Sequence, residues 1–244
     1  MFIQGDSGTR VDEIASGIYR LSVPVTTIPG GFTFNHYLVV DDEPLLFHAG
    51  LRKMFPLVQA AVSAVMPVDR LRYISFSHYE ADECGALNDF LAAAPAAQPL
   101  CGGLAARVSV NDTAIRPARA LEDGEVVSLG TRTVRWYATP HFPHGWESGL
   151  LMEETTKSLF CSDLFTRSGA DHQPLVESDI LEQSEALRAR LDFYAHTRDT
   201  GATIERLAQA APRTLACMHG SAWRGDGAAL LRALGRRLEA RPSS

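Results

Sequence analysis

Four side chains able to hold a cation or move a proton, His78, Glu80, Asp82 and Glu83, fall within six positions in "FSHYEADECGAL" (residues 76–87), directly after an apolar run. In extended backbone alternate side chains share a face, so His78, Glu80 and Asp82 would converge while Tyr79 and Ala81 point away. In a helical turn His78 and Asp82 still share a face. Either geometry makes a metal pocket; the plainer alternative is a polar loop with His78 as a cap. Candidates of the same kind stand at other strand tips: His141 and His144 in "ATPHFPHGWES", Asp163 in "LFCSDLF" and His219 in "ACMHGSAWRG". Asp and His gain little from burial without a partner, and a shared ion would be that partner.

Such scattered tips need sheets to position them. From Gly17 onward "GIYRLSVPV", "FTFNHYLVVD" and "PLLFHAG" are short β-type runs separated by Pro, Gly and Asp. "RKMFPLVQAAVSAVMP" spaces Phe55, Val58, Val62 and Met66 as a helix that Pro67 closes. "LRYISFSH" reads as a strand and "ECGALNDFLAAAP" as a helix, which puts the acidic cluster at a strand-to-helix junction. "QPLCGG", "EVVSLG", "RTVRWYATP", "SGLLMEE" and "KSLFCSD" form a second group of strands. Residues 181–211 read as helical, "RTLACMHG" as a last strand, and a helix starts from Asp226. Strands and helices alternate in two successive halves, which predicts packed sheets covered by helices. No Pro/Gly/Ser-rich seam divides the chain, so residues 1–244 read as a single domain.

Composition narrows the function classes. A formal net charge of −6 argues against nucleic acid or anionic lipid as partner, because counterion release needs clustered Lys and Arg. The basic stretch "LLRALGRRLEARPSS" reads as a helix with a solvated face. No apolar stretch has the roughly 18 residues a bilayer span needs, and "MFIQGDSGTRVDE" lacks the order of a signal peptide. A cytoplasmic location and no membrane partner are therefore expected. Cys84, Cys101, Cys161 and Cys217 lie far apart without a C-x-x-C pair and read as small buried apolar residues.

The order His78-x-Glu80-x-Asp82, then His144, Asp163 and His219, resembles the metallo-β-lactamase fold, specifically its flavodiiron and oxygen-binding diiron branch. Glu80 at the second position, together with "HGSAWR", is similar to that branch; the superfamily's zinc hydrolases usually have His-x-His-x-Asp-His. The match runs from about Phe34 to Arg224. The resemblance implies an α/β (α+β) four-layer αββα sandwich with two iron ions at one sheet edge. His78, Glu80 and His144 would bind one iron, Asp82 and His219 the other, with Asp163 bridging. Three anionic ligands make a hard, oxygen-rich shell that tolerates ferric iron, whereas zinc has no redox chemistry.

The chain also departs from that pattern. Glu83 stands where the family commonly has His; it reads either as a fourth carboxylate ligand or, the favoured reading, as a helix-starting acid pointing away. His48 replaces a common Asp and reads as a hydrogen-bonded core histidine. His144 is preferred over His141 because Glu147 and Ser148 follow it. "HGWES" leaves Trp146 to shield the site differently from the usual His-Trp-Pro. His36 reads as structural near the pocket, His172 and His196 as solvent-facing, and Tyr79, Phe142 and Trp223 either as an apolar lining or, equally, as core packing.

The function implied is a diiron protein that binds and reduces dioxygen or nitric oxide. Flavodiiron proteins carry a flavodoxin domain that this sequence does not contain, and no Gly-rich phosphate loop is visible. Electrons would then come from an external electron-transfer protein, and a homodimer is one arrangement open to it. The alternatives are a zinc or manganese hydrolase with a bridging hydroxide at the same ligands, a non-catalytic oxygen sensor, or a degenerate site.

Overall fold

The structure, a computed structural model, describes residues 8–240. The signal-peptide reading of the first residues and the last four residues of the basic stretch therefore lie largely or wholly outside it. One sheet holds seven strands in sequence order: β1 (Arg10–Ala15), β2 (Ile18–Val25), β3 (Phe32–Val39), β4 (Leu45–Phe47), β5 (Tyr73–Ser75), β6 (Gln98–Gly102) and β7 (Arg119–Leu121). Its first half is antiparallel, and β4 to β7 run parallel. The second sheet contains β8 (Val126–Ser128), β9 (Thr133–Ala138), β10 (Gly149–Glu153), β11 (Ser158–Phe160), β12 (Leu175–Val176), β13 (Thr214–Ala216) and β14 (Ala222–Arg224). Its spatial order is β12-β14-β13-β11-β10-β9-β8, with β11 and β13 parallel.

Alternation along the strands sorts side chains into layers. Tyr37, Val39, Leu45 and Phe47 face Trp136, Leu151 and Phe160 across the gap between the sheets. Their neighbours Leu38 and Leu46 face outward onto α1 (Phe55–Ser63) and α3 (Leu87–Ala93) through Val58, Val62, Phe90 and Leu91. Between those helices lies the single turn α2 (Ala81–Cys84). The second sheet's outer face is covered by α4 (Leu181–Leu191), α5 (Thr200–Gln209) and α6 (Gly227–Glu239), which bury Leu181, Ile204, Leu207, Leu231 and Leu234. The layers are thus the αββα sandwich that the resemblance implies.

Several elements differ from the sequence reading, which did not mark the short strands β7, β12 and β14. β1 was not expected, because Arg10, Asp12 and Glu13 hide its two core contacts, Val11 and Ile14, and a register shift between Glu13 and Ala15 breaks the alternation. The helix over 181–211 is two helices; Asp192 adopts left-handed backbone at φ 46° and ends α4. Residues 103–113 are helical, which the sequence did not suggest. The basic terminal helix has the expected solvated face, where Arg232 donates two hydrogen bonds to Glu205 of α5. All four cysteines are buried and free. Among the described residues no helix is long and apolar enough to cross a membrane.

Candidate metal centre

His78, Asp163 and His219 each lie three residues beyond the end of a strand, β5, β11 and β13. Glu80 and Asp82 follow His78 into α2, and His144 sits in the loop from β9 to β10. Backbone and side-chain bonds hold these loops in place. Glu147 accepts the Tyr79 N–H at 2.7 Å, and the Ser77 carbonyl accepts the Gly149 N–H, so the His144 loop is tied to the His78 loop. Gly145, at φ 80°, makes that approach possible: a Cβ there would lie 3.1 Å from the His78 Cβ. The turn carrying His219 is held to the first sheet, where Asn35 donates to the Cys217 and Gly220 carbonyls and Tyr37 donates to that of Cys217.

The six residues singled out in the sequence come together. His144 Nε2 lies 3.4 Å from Glu80 Oε1 and 3.4 Å from Asp163 Oδ2, and His78 Nε2 lies 3.7 Å from Glu80 Oε2 and 3.6 Å from Asp163 Oδ2. On the other side His219 Nε2 lies 3.2 Å from Asp163 Oδ1 and 3.6 Å from Asp82 Oδ2. One Asp163 oxygen thus faces the group His78, Glu80 and His144, and the other faces the group Asp82 and His219. Donors about 2.1 Å from a common cation sit roughly 3.0–3.4 Å apart, so these separations suit ligands around ions.

Two of the three imidazoles, His219 and His78, are held from behind. His219 Nδ1 donates to the Thr33 carbonyl at 2.8 Å, which turns Nε2 toward Asp163. His78 Nδ1 lies 3.0 Å from Ser77 Oγ, which also contacts Ser162 Oγ at 2.7 Å and His48 Nε2 at 3.0 Å. His78 Nε2 is left buried without a hydrogen-bond partner, an orphan that a cation would satisfy.

The electrostatics suit a cation pair. Burial alone would raise the Asp163 pKa, but the hydrogen bond from His219 and the charges of His219, His78 and His144 bring it down to about 2. Glu80 is held well below the usual carboxylate range by His144 and then His78. His144 and His219 are opposed by burial, yet Glu80 and Asp163 raise the former and Asp163 raises the latter.

Glu83 corrects the sequence reading. It does stand in the first turn of α2, but it does not point away: its side chain is 0 % exposed, and Oε1 lies 3.7 Å from His78 Nε2. Burial, then the charges of Asp163 and Asp82, push its carboxyl well above the ordinary range. His141 is exposed and takes no part. His48 and His36 are buried, as read; His36 Nδ1 donates to the His48 carbonyl. His196 is exposed, but His172 is half-buried beside the Ser168 carbonyl rather than solvent-facing.

The expected aromatic lining is also different. Tyr79 turns outward to Thr113, Phe142 packs against Tyr194, and Trp223 donates to the Ser178 carbonyl. Trp146 is 55 % exposed. Instead Phe32, its ring 4.3 Å from that of His219, and Phe193 beside His144 border the open pocket of about 170 Å³ over the site. Phe193 was hidden because its segment read as helix; Ser77 and Ser162 had a signal, each adjacent in sequence to a ligand candidate.

Residues 32–220 match the family described as "ODP family beta lactamase". The chain belongs to that family. Among curated proteins it is 28% identical over 211 residues to the rubredoxin-oxygen oxidoreductase of Megalodesulfovibrio gigas, an alignment covering 82% of this chain and 51% of the relative. The chain thus spans about half the length of that protein. Two solved structures share the fold. The rubredoxin oxygen:oxidoreductase of Desulfovibrio gigas superposes with a TM-score of 0.80 at 21% identity, over 96% of this chain and 63% of the other. A fragment, residues 1–254, of putative diflavin flavoprotein A 5 from Nostoc superposes at 0.82 and 17% identity, over 95% and 96%. This ODP-family chain therefore has the metallo-β-lactamase-like fold of flavodiiron proteins.

Proposed function

We propose that this ODP-family chain holds two iron ions and reduces dioxygen, with nitric oxide as a second substrate, using electrons from a separate electron-transfer protein. His78, Glu80 and His144 would hold one ion, Asp82 and His219 the other, and Asp163 both. The observation that carries this reading is the division of Asp163, with one oxygen toward each donor group. Glu80 in place of an imidazole favours iron, because a harder, more anionic shell stabilises the ferric state. The relative named rubredoxin-oxygen oxidoreductase supports the same substrate and the same kind of donor.

A ferrous pair held by these residues would supply two electrons to a small oxidant. The chain supplies the rest. Asp163 and the three imidazoles set the spacing, Ser77 and the Thr33 carbonyl fix the ring orientations, and Phe32 and Phe193 narrow the solvent path at the pocket mouth. With Nδ1 of His219 donating to the Thr33 carbonyl and Nδ1 of His78 beside Ser77 Oγ, the Nε2 atoms of both rings face the cluster.

The test is metal analysis of the chain purified without air, followed by exposure of the reduced protein to oxygen. Two irons per chain and an oxygen-dependent change in the visible spectrum are expected. Two zinc ions with no response to oxygen would instead favour the hydrolase. Oxygen uptake that saturates after a single turnover even with reduced rubredoxin present would favour a sensor.

A further inference from the structure

Glu83 is the one acid of the cluster that the six-ligand scheme leaves unused. Its carboxylate is completely buried, and neither oxygen has a hydrogen-bond partner among the described residues. Buried polar atoms without a partner are rare in folded proteins, and a cation against this carboxyl group would satisfy both oxygens. The backbone that carries the group is held at several points. The Glu83 carbonyl accepts the Ala49 N–H at 2.7 Å and the Gly50 N–H at 3.3 Å, and the residue lies inside the turn α2, where Cys84 N–H donates to the Glu80 carbonyl.

The side chain is also aimed at donors. Oε1 lies 3.7 Å from His78 Nε2, itself buried and unpartnered, and one ligand atom each from His78, Glu80 and Glu83 lies within 4.8 Å of the others. On its other flank are the carboxylates of Asp82 and Asp163. Four acids, Glu80, Asp82, Glu83 and Asp163, thus converge with three imidazoles. Nothing cationic among the described side chains offsets them: the groups within ion-pairing distance of these acids are the histidines.

We propose that Glu83 is a seventh protein ligand of the dinuclear centre. With it, four carboxylates balance the charge of two divalent ions. The metal pair is then electrically neutral in its reduced form, and each ion's oxidised form is better matched by the anionic shell than with an imidazole at this position. The proposal rests on the dinuclear reading above, and the experiment separates the two.

Co2+ alone serves as the probe, titrated into metal-free wild-type chain and into the E83Q and E83H variants, with binding followed by calorimetry and by the visible bands of the bound ion. Wild type is expected to take two Co2+ ions. E83Q should lose about tenfold or more in affinity for at least one ion, the size expected when a ligand or its support is removed, with an altered band. E83H should again hold two ions, with a band shifted by nitrogen ligation. A wild-type chain that binds no pair of ions overturns the dinuclear reading itself. A wild-type pair with E83Q matching it within about twofold in both affinities, and in spectrum, overturns only the role of Glu83. Should E83Q fail to fold by circular dichroism, E83H decides: two ions with an unshifted band count against ligation.

Discussion

At the scale of single residues, the site works because side chains with opposed preferences are held together. In the proposed dinuclear centre, Glu80 is the residue on which metal choice would turn. Glu80→His replaces a hard anion by a softer neutral donor, so the zinc-to-iron ratio of the purified chain should rise on the order of tenfold; unchanged metal content would refute the hardness argument. His36 makes a separate, measurable contribution to stability. Burial pulls its pKa down to about 4, against the usual value near 6.5, and its ring packs so close to Gly50 that a Cβ there would lie 2.4 Å from Cε1. Between about pH 6.5 and pH 4 the unfolded chain binds a proton that the folded chain refuses, so this term destabilises as pH falls through that window. In metal-free protein, the loss of unfolding free energy between pH 7.5 and pH 5 should be about 2 kcal/mol smaller in His36→Asn than in wild type. Equal losses in urea titrations of the two would show that His36 is not held neutral.

At the scale of elements, α5 and α6, which cover part of the second sheet, contribute no residue to the pocket over the candidate ligands, whereas Leu191 at the end of α4 lines it. α5 and α6 pack through Ile204, Leu207, Leu231 and Leu234, all buried, and Arg232 with Glu205 adds only an exposed pair. Leu207→Ala opens a cavity in that layer and should cost about 3 kcal/mol in unfolding free energy. Ions bound per folded chain should not change, because no ligand sits on α5 or α6; a parallel loss of metal would mean that this layer tensions the His144 and His219 loops. The loops themselves are set by short strands whose ends are pinned across the sheets. The His219 turn shows this best, since its carbonyls are held by Asn35 and Tyr37 of β3 and by Arg20 of β2.

At the scale of the whole molecule, the proposed metal pair joins two sheets. His78, Glu80 and Asp82 follow a strand of the first sheet, whereas His144, Asp163 and His219 follow strands of the second. Each ion held at about a thousand times its dissociation constant would add about 4 kcal/mol to stability, or about 8 kcal/mol for the pair. Removing both with a chelator should therefore lower the melting temperature by roughly 20 °C for a chain of this size. A melting temperature that ignores chelation would mean the cluster carries no tightly held ion. Much of this was legible beforehand: the alternation in "FTFNHYLVVD" and "PLLFHAG" marked β3 and β4, and acids and imidazoles at strand tips have little reason to sit there without a shared partner. By itself the sequence determined most of the longer strands, the packing of sheets under helices and the candidate ligands at the strand tips, while the layer order came from the family resemblance. Only the tertiary structure decided that His141 stays outside, that Phe32 and Phe193 border the pocket, and that Glu83 turns inward. The physical reason is that a helix-starting acid and a buried acid are identical in sequence. Which one Glu83 becomes depends on how Ala49 and Gly50 grip its backbone and which face of α2 packs against the sheets.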